Sequence, residues 1–143
     1  MKIVLDTNVF VSSVLTQSGN PFTIMEACRR GKLELIISKP LLDEIGRVFH
    51  KPKLKRRHKW DDKQISRYLS RLVELSENVL IENVPDLPAD PTDAIILATA
   101  KKAQADAIVT GDEKHLLPLK SYKNIPIITP RQCVEQYLAK KAA

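Results

Sequence analysis

Hydrophobic residues follow two alternating patterns along the chain. Short runs of aliphatic and β-branched residues, which are typical of buried strands, occur at Ile3–Leu5, Leu33–Ile37, Val79–Val84, Ala107–Val109 and Ile125–Ile128. Between these runs, apolar residues return at helical spacing. Strands that alternate with helices predict a three-layer α/β sandwich with a mainly parallel sheet of five strands.

Capping residues and prolines mark where the helices begin. The first helix is predicted to follow Asn8, and the second to begin at Asn20–Pro21 and end at Gly31. The same signals mark four further starts, at Pro40, Asp61, Asp90–Pro91 and Thr129–Pro130. The 143 residues contain no repeat, low-complexity tract or Gly/Ser linker, so we expect a single domain over residues 1–143.

Four acidic residues follow strands or lie near the start of the helices after them. Asp6 comes directly after the first strand, and Asp112 soon after the fourth. Glu44 falls in the first turns of the helix after the second strand, and Asp93 in the first turn of the helix after the third. Parallel strands end at one edge of a sheet, and ligands bind there. We therefore expect all four carboxylates at that edge.

Helical periodicity separates carboxylates that face the core from carboxylates that face solvent. At about 100° per residue, Glu44 lies at the border of the apolar face of its helix, whereas Asp43 points nearly opposite. Asp93 lies on an apolar stripe with Ile96 and Leu97. Burying an ionised carboxylate costs several kcal/mol unless it is paired or coordinated. No Arg or Lys is expected to neutralise the four acidic residues, so the pattern favours a bound cation.

The ligand type indicates which cation this is. Clustered carboxylate oxygens suit Mg²⁺ or Mn²⁺ rather than Zn²⁺, for which Cys or His ligands would be expected. Such an ion lowers the pKa of a bound water molecule and neutralises charge that builds on a phosphoryl oxygen.

Each acidic residue also has an ordinary structural explanation. Asp6 is placed to cap the next helix, and Asp93 to interact with the positive end of its own helix. Asp112 follows Gly111 in a common turn pair, and a helical glutamate such as Glu44 is most often solvated. Only their joint placement favours a metal site.

Composition narrows the class of protein without deciding it. The net charge of +6 and the pI of about 9.4 favour a polyanionic partner. Cys28 and Cys133 lack the spacing of a metal or redox motif, so they are interpreted as small buried hydrophobes in a reducing compartment. No apolar run approaches the roughly 20 residues that cross a bilayer. The predicted location is the cytoplasm, away from membranes.

Four short motifs, taken in order, resemble those of PIN domains, the family that includes the VapC-type toxins. They surround the four acidic residues: Asp6 in Ile3–Asn8, Glu44 in Leu42–Ile45, Asp93 in Asp90–Ala94 and Asp112 in Ile108–Asp112. The resemblance runs from Lys2 to about Tyr137, and it is closest to the branch of PIN-family toxin components of toxin–antitoxin systems. Each motif alone is weak, but four in order are fairly specific.

The resemblance carries further expectations. It implies a sheet ordered 3-2-1-4-5, which places the first and fourth strands side by side. It also implies hydrolysis of single-stranded RNA that depends on Mg²⁺ or Mn²⁺, with water as the nucleophile. Thr7, Asn8 and Thr110 match positions that support the acidic site by hydrogen bonding. A homodimer and a cognate antitoxin are the partners that it suggests.

A basic segment follows the helix that carries Glu44. Its six cationic residues are Lys51, Lys53, Lys55, Arg56, Arg57 and Lys59. Such a cluster is expected to contact the RNA backbone, although a solvated loop remains an equal alternative. Trp60 or Phe49 is a candidate platform for base stacking, but an aromatic residue at a helix border is more often part of the core.

Other functions were weighed on the same residues. A phosphatase with an aspartate nucleophile wants a second Asp two residues after Asp6, where this chain has Asn8. A receiver domain wants an Asp after the third strand and a Lys after the fifth, where Asn83 and Thr129–Pro130 stand. The stronger alternative is a catalytically silent PIN-like module that binds RNA or protein. All four acidic positions are filled, which argues against it.

Overall fold

A computed structural model describes residues 1–82 and 91–138 of the chain. Its strands are β1 (Lys2–Leu5), β2 (Glu34–Ser38), β3 (Glu77–Val79), β4 (Ala107–Val109), β5 (Ser121–Tyr122) and β6 (Ile125–Ile128). Its α-helices are α1 (Thr7–Leu15), α2 (Asn20–Arg29), α3 (Lys39–Phe49), α4 (Pro52–His58), α5 (Asp62–Leu75), α6 (Pro91–Ala103) and α7 (Pro130–Cys133). A 3₁₀ turn at Leu117–Leu119 and a π-helical turn at Val134–Leu138 complete the described elements.

The strands form one sheet in the order β3-β2-β1-β4-β6-β5. All neighbours are parallel except β5, which pairs antiparallel with β6. This confirms the predicted α/β fold and the order 3-2-1-4-5, because β6 is the fifth of the predicted strands. The sequence prediction missed β5, since a two-residue strand is too short to show an alternating pattern.

The centre of the sheet is also the centre of the hydrophobic core. β1 lies between β2 and β4, with Ile3 opposite Ala107 and Leu5 opposite Val109. The side chains of Ile3, Val4 and Leu5 are fully buried. A continuous apolar run of this kind is typical of a parallel strand covered on both faces. Burial therefore fixes the carboxyl end of β1 beside that of β4.

Local signals placed some helix starts well. Asp61 and Thr129 each form a capping box, with Gln64 and Gln132 respectively, as expected at predicted starts. The first helix begins at Thr7 rather than after Asn8. The predicted cap Asp90 lies outside the described residues.

The third strand departs from its predicted position. The prediction covered Val79–Val84, but β3 ends at Val79, and Leu80 is 72% exposed. Residues 83 and 84 lie outside the described part of the chain. The pairing strand is Glu77–Val79, opposite Ile36 to Ser38 of β2. Two polar residues, at an edge with only one neighbouring strand, gave no hydrophobic signal.

The two cysteines are buried, free thiols. Burial raises the pKa of Cys28 to about 12 and that of Cys133 to about 11. Both therefore remain protonated and pack as small apolar side chains, which confirms that prediction. Among the described helices, none is long and apolar enough to cross a membrane.

Candidate metal centre

One threonine connects two of the predicted acidic residues at the edge where β1 and β4 end. The Asp6 backbone N–H donates to the carbonyl of Val109 at 2.9 Å, which holds the two strand ends together. The Thr110 hydroxyl donates to Oδ2 of Asp6 at 2.6 Å. The same hydroxyl oxygen accepts the backbone N–H of Asp112 at 2.9 Å. Thr110 thus positions both the Asp6 carboxylate and the start of the Asp112 loop.

Asp6 is a buried carboxylate in an unfavourable environment. Its exposed fraction is only 5%. Burial raises its pKa above the ordinary value, and the Thr110 hydroxyl and the Thr7 and Asn8 amides act in the opposite direction. The neighbouring charge of Asp112 raises the pKa further. Asp6 occupies the N-cap position of α1 but makes no side-chain capping hydrogen bond. Its carboxylate nevertheless interacts with the first two backbone amides of α1, those of Thr7 and Asn8.

A second set of ligand atoms converges around Asp112. One oxygen each from Asp93 and Asp112 and one ring nitrogen of His115 all lie within 4.8 Å of one another. Asp93, in the first turn of α6, is buried with 5% exposure. Helix α6 packs against β1, β2 and β4, which brings this turn over the sheet edge. The Asp93 and Asp112 side chains thus approach one another, as the topology predicted.

The loop after β4 holds the Asp112 side chain in place. Its Oδ1 accepts the backbone N–H groups of Lys114 and His115, each at 3.1 Å. Its Oδ2 lies 3.3 Å from Nδ1 of His115. His115 was not predicted from the sequence, because oxygen ligands alone were expected. An Asp-x-x-His spacing in a turn was the available signal.

Glu44 has a partner that the sequence analysis did not expect. Its side chain is 12% exposed, which agrees with a position at the border of the apolar face. Its Oε2 accepts a hydrogen bond from Nε of Arg47 at 3.0 Å and also pairs with Nη2 of the same guanidinium. The expectation that no basic residue neutralises the acidic set is therefore wrong for Glu44. Residues at i and i+3 share one face of a helix.

Comparison with known proteins identifies the family. The family model described as "PIN domain" matches residues 2–114. This chain belongs to the PIN domain family. It is 26% identical over 145 residues to Uncharacterized protein MJ1680 of Methanocaldococcus jannaschii, across 96% of this chain and 92% of that protein.

Two solved structures share the fold of this PIN domain. The structure of VapBC2 from Rickettsia felis bound to a DNA fragment from their promoter matches with a TM-score of 0.62 and 17% identity, across 90% of this chain and 98% of that chain. PAE2754 from Pyrobaculum aerophilum matches with a TM-score of 0.61 and 15% identity, across 97% and 90% respectively. At these identities the similarity shows a common fold.

The remaining predicted site residues of this PIN domain differ in their surroundings. Thr7 is buried, and its hydroxyl has no hydrogen-bond partner among the described residues. Asn8 is exposed. A buried hydroxyl without a partner is uncommon unless water or a ligand satisfies it. Together with a donor set of carboxylates and one imidazole, this hydroxyl fits a site that holds a hydrated divalent cation.

The basic segment forms a helix rather than a loop. Residues Pro52–His58 make up α4, and the residue after it, Lys59, has a left-handed conformation with φ of 61°. Lys55 is paired with Asp62, with 2.5 Å between Nζ and Oδ1. The other basic residues of the segment are exposed: Lys51, Lys53, Arg56, Arg57 and Lys59. The charge of α4 is therefore available to an anionic partner, apart from the part that Asp62 offsets.

The two candidate stacking residues belong to a structural aromatic cluster. Phe49 is fully buried, so it is not a platform for a base. Trp60 is half-buried and stacks on Phe49, with 5.9 Å between ring centroids and 14° between ring planes. Tyr68 also contacts both rings. Phe49 is therefore a core residue, as the structural alternative held. Its ring occupies one face of Trp60.

Proposed function

We propose that this PIN domain is a metal-dependent ribonuclease that hydrolyses phosphodiester bonds of single-stranded RNA. Asp6, Glu44, Asp93 and Asp112 are the proposed ligands for Mg²⁺ or Mn²⁺. The observation that most supports this proposal is the approach of Asp93 and Asp112 beside a buried Asp6, at the edge where parallel strands end. Concentrating carboxylates at one point raises their mutual repulsion, and a divalent cation relieves it.

The residues of this chain prepare the site before any ion binds. A bound divalent cation supplies a water molecule of lowered pKa and neutralises charge on the phosphoryl oxygens. Thr110 holds the Asp6 carboxylate, and two backbone amides hold the Asp112 carboxylate, so hydrogen bonds already fix the position of both groups. Ligands fixed in this way bind and orient more effectively than mobile ones. The ion pair with Arg47 limits how far Glu44 reaches.

Removing the metal is the direct test of this function. We expect the purified chain to cleave a fluorescently labelled single-stranded RNA in Mg²⁺ or Mn²⁺. Excess EDTA should reduce cleavage to background, and a surplus of the ion should restore it. Undiminished cleavage in EDTA would contradict the metal-dependent mechanism. Tight RNA binding without cleavage in either ion would favour the silent-module alternative, for which the Glu44–Arg47 pair is the supporting observation.

Helix α4 is the proposed contact with the RNA backbone. Lys53, Arg56 and Arg57 are exposed and form no ion pair with other described residues, whereas Lys55 is paired with Asp62. The triple variant Lys53→Ala/Arg56→Ala/Arg57→Ala should bind RNA more weakly. The dependence of log affinity on log salt should flatten by about 2, because each lost contact with a single strand contributes ~0.7.

A matched triple variant controls for net charge alone. Lys32, Lys101 and Lys102 are also exposed, and their replacement by Ala removes the same number of charges elsewhere. Equal salt slopes for the two triple variants would show that α4 is ordinary surface. Filter binding or fluorescence anisotropy over a range of salt concentrations measures both.

The biological setting that we propose is a toxin–antitoxin pair, with this chain as the toxin. The fold shared with a chain of VapBC2 from Rickettsia felis supports this. A short neighbouring reading frame that encodes a DNA-binding protein would be the expected partner gene.

We also propose a homodimer, since two-fold assembly is the commonest arrangement of soluble oligomers. Light scattering that gives a monomer mass at tens of micromolar protein would contradict the homodimer.

A further inference from the structure

His115 stands at the proposed metal site without a role in the function proposed above. It is exposed, with 62% of its side chain accessible, and it lies three residues after Asp112. The imidazole has not turned toward the core. Its Nδ1 lies 3.3 Å from Oδ2 of Asp112, and a ring nitrogen lies within 4.8 Å of a carboxylate oxygen of Asp93.

The separation of 3.3 Å between His115 and Asp112 is close to that of neighbouring ligands around one ion. Neighbouring ligands about 2.1 Å from an octahedral ion are ~3 Å apart, and opposite ones are ~4.2 Å apart. The distance between His115 and Asp112 matches neighbouring positions. Two backbone amides already anchor Oδ1 of Asp112, and its other oxygen, Oδ2, faces the His115 ring. A partly exposed Asp–His contact contributes little stability by itself.

We infer that His115 is a nitrogen ligand to the ion and that it makes the site prefer Mn²⁺ to Mg²⁺. This inference rests on the proposed function, since it concerns the ion of the same site. Mg²⁺ takes oxygen ligands and keeps its water, whereas imidazole binds first-row transition-metal ions. Carboxylate ligands alone suit both Mg²⁺ and Mn²⁺. One imidazole in the ligand set favours the transition metal.

Electron spin-echo spectroscopy of the Mn²⁺-loaded full-length chain tests this directly. A histidine nitrogen bound to Mn²⁺ modulates the echo, and we expect that ¹⁴N modulation in the wild type. Labelling histidine with ¹⁵N should replace the pattern by that of ¹⁵N, which requires no variant. His115→Ala should abolish the modulation. It should also weaken Mn²⁺ binding roughly tenfold while changing Mg²⁺ binding by less than about twofold.

His50→Ala is the matched control, because His50 is a second exposed histidine that pairs with Asp62 and is not in this cluster. It should keep the ¹⁴N modulation and the preference for Mn²⁺. Bound Mn²⁺ without nitrogen modulation in the wild type would overturn the inference and leave the acidic site standing. Modulation that persists in His115→Ala would also overturn it. A chain that binds neither ion would contradict the proposed metal site and this inference together.

Discussion

Asp6→Asn and Asp112→Asn are each expected to lower the rate of RNA cleavage by at least about 100-fold. Each substitution keeps the shape of the side chain and removes its negative charge. The amide oxygen of Asn still accepts the hydrogen bonds that Thr110 and the backbone donate, so the local structure should survive. The loss would therefore report the missing charge at the proposed cation. Single-turnover cleavage of a labelled single strand at saturating protein measures it.

Asp43→Asn is the matched control for this loss. Asp43 lies on α3 next to Glu44, but its side chain is 64% exposed, and its ion-pair partner within the described part of the chain is Lys39. We expect the rate of cleavage in this variant to stay within about twofold of wild type, since exposed ion pairs contribute little. Full activity in the Asp6 or Asp112 variant would contradict the proposed ligand set. An equal loss in Asp43→Asn would show that any reduction in surface charge has the same effect.

The same Asp6→Asn variant is expected to be more stable than the wild type when metal is absent. Burial holds the pKa of Asp6 above its ordinary value, so the folded state favours the protonated form. The protonated Asp6 contributes stability that is fully present at pH values below the ordinary pKa. This contribution is lost as the pH rises through the raised pKa of the folded state. At pH 7 the ionised group therefore destabilises the fold. Removing the charge should raise the melting temperature in EDTA by roughly 2–4 °C, the shift that about 1 kcal/mol produces in a domain of this size.

Adding metal should reverse the order of stability of the wild type and Asp6→Asn. Mg²⁺ or Mn²⁺ that binds only the folded state stabilises it by mass action. The wild type should gain melting temperature with increasing ion concentration, and Asp6→Asn should gain much less. Differential scanning calorimetry in EDTA and at several metal concentrations measures both effects. A variant less stable than wild type in EDTA would show that Asp6 acts as a structural residue rather than as a ligand.

Much of the fold was predictable because burial determines it. The strands at the centre of the sheet are continuous apolar runs, and β1, β4 and β6 were located to within one residue. The two weak predictions lie where burial is weak. β3 has two exposed polar residues. β5 is the outermost strand and is two residues long. Helix α4 has no buried residue, so no apolar stripe marked it.

The candidate site was predictable where topology alone places a residue. Asp6, Asp93 and Asp112 each come next to the end of a strand or the start of a helix, and parallel pairing determines which ends are adjacent. Side-chain partners are a different matter, since they depend on rotamers and on turn geometry. Only the structure shows the Arg47 partner of Glu44 and the approach of His115 to Asp112. Thr110 lies between these cases, because its position was predicted and its double hydrogen bond was not.

We propose that Asp6, Glu44, Asp93 and Asp112 hold a divalent cation at the edge where β1 and β4 end. A crystal of the full chain soaked in Mn²⁺ tests it most directly, because anomalous scattering locates the ion independently of any assay. We expect a strong anomalous peak within about 2.0–2.6 Å of carboxylate oxygens from these residues. A well-ordered site with no peak there, or with Mn²⁺ bound only at other carboxylates, would contradict it.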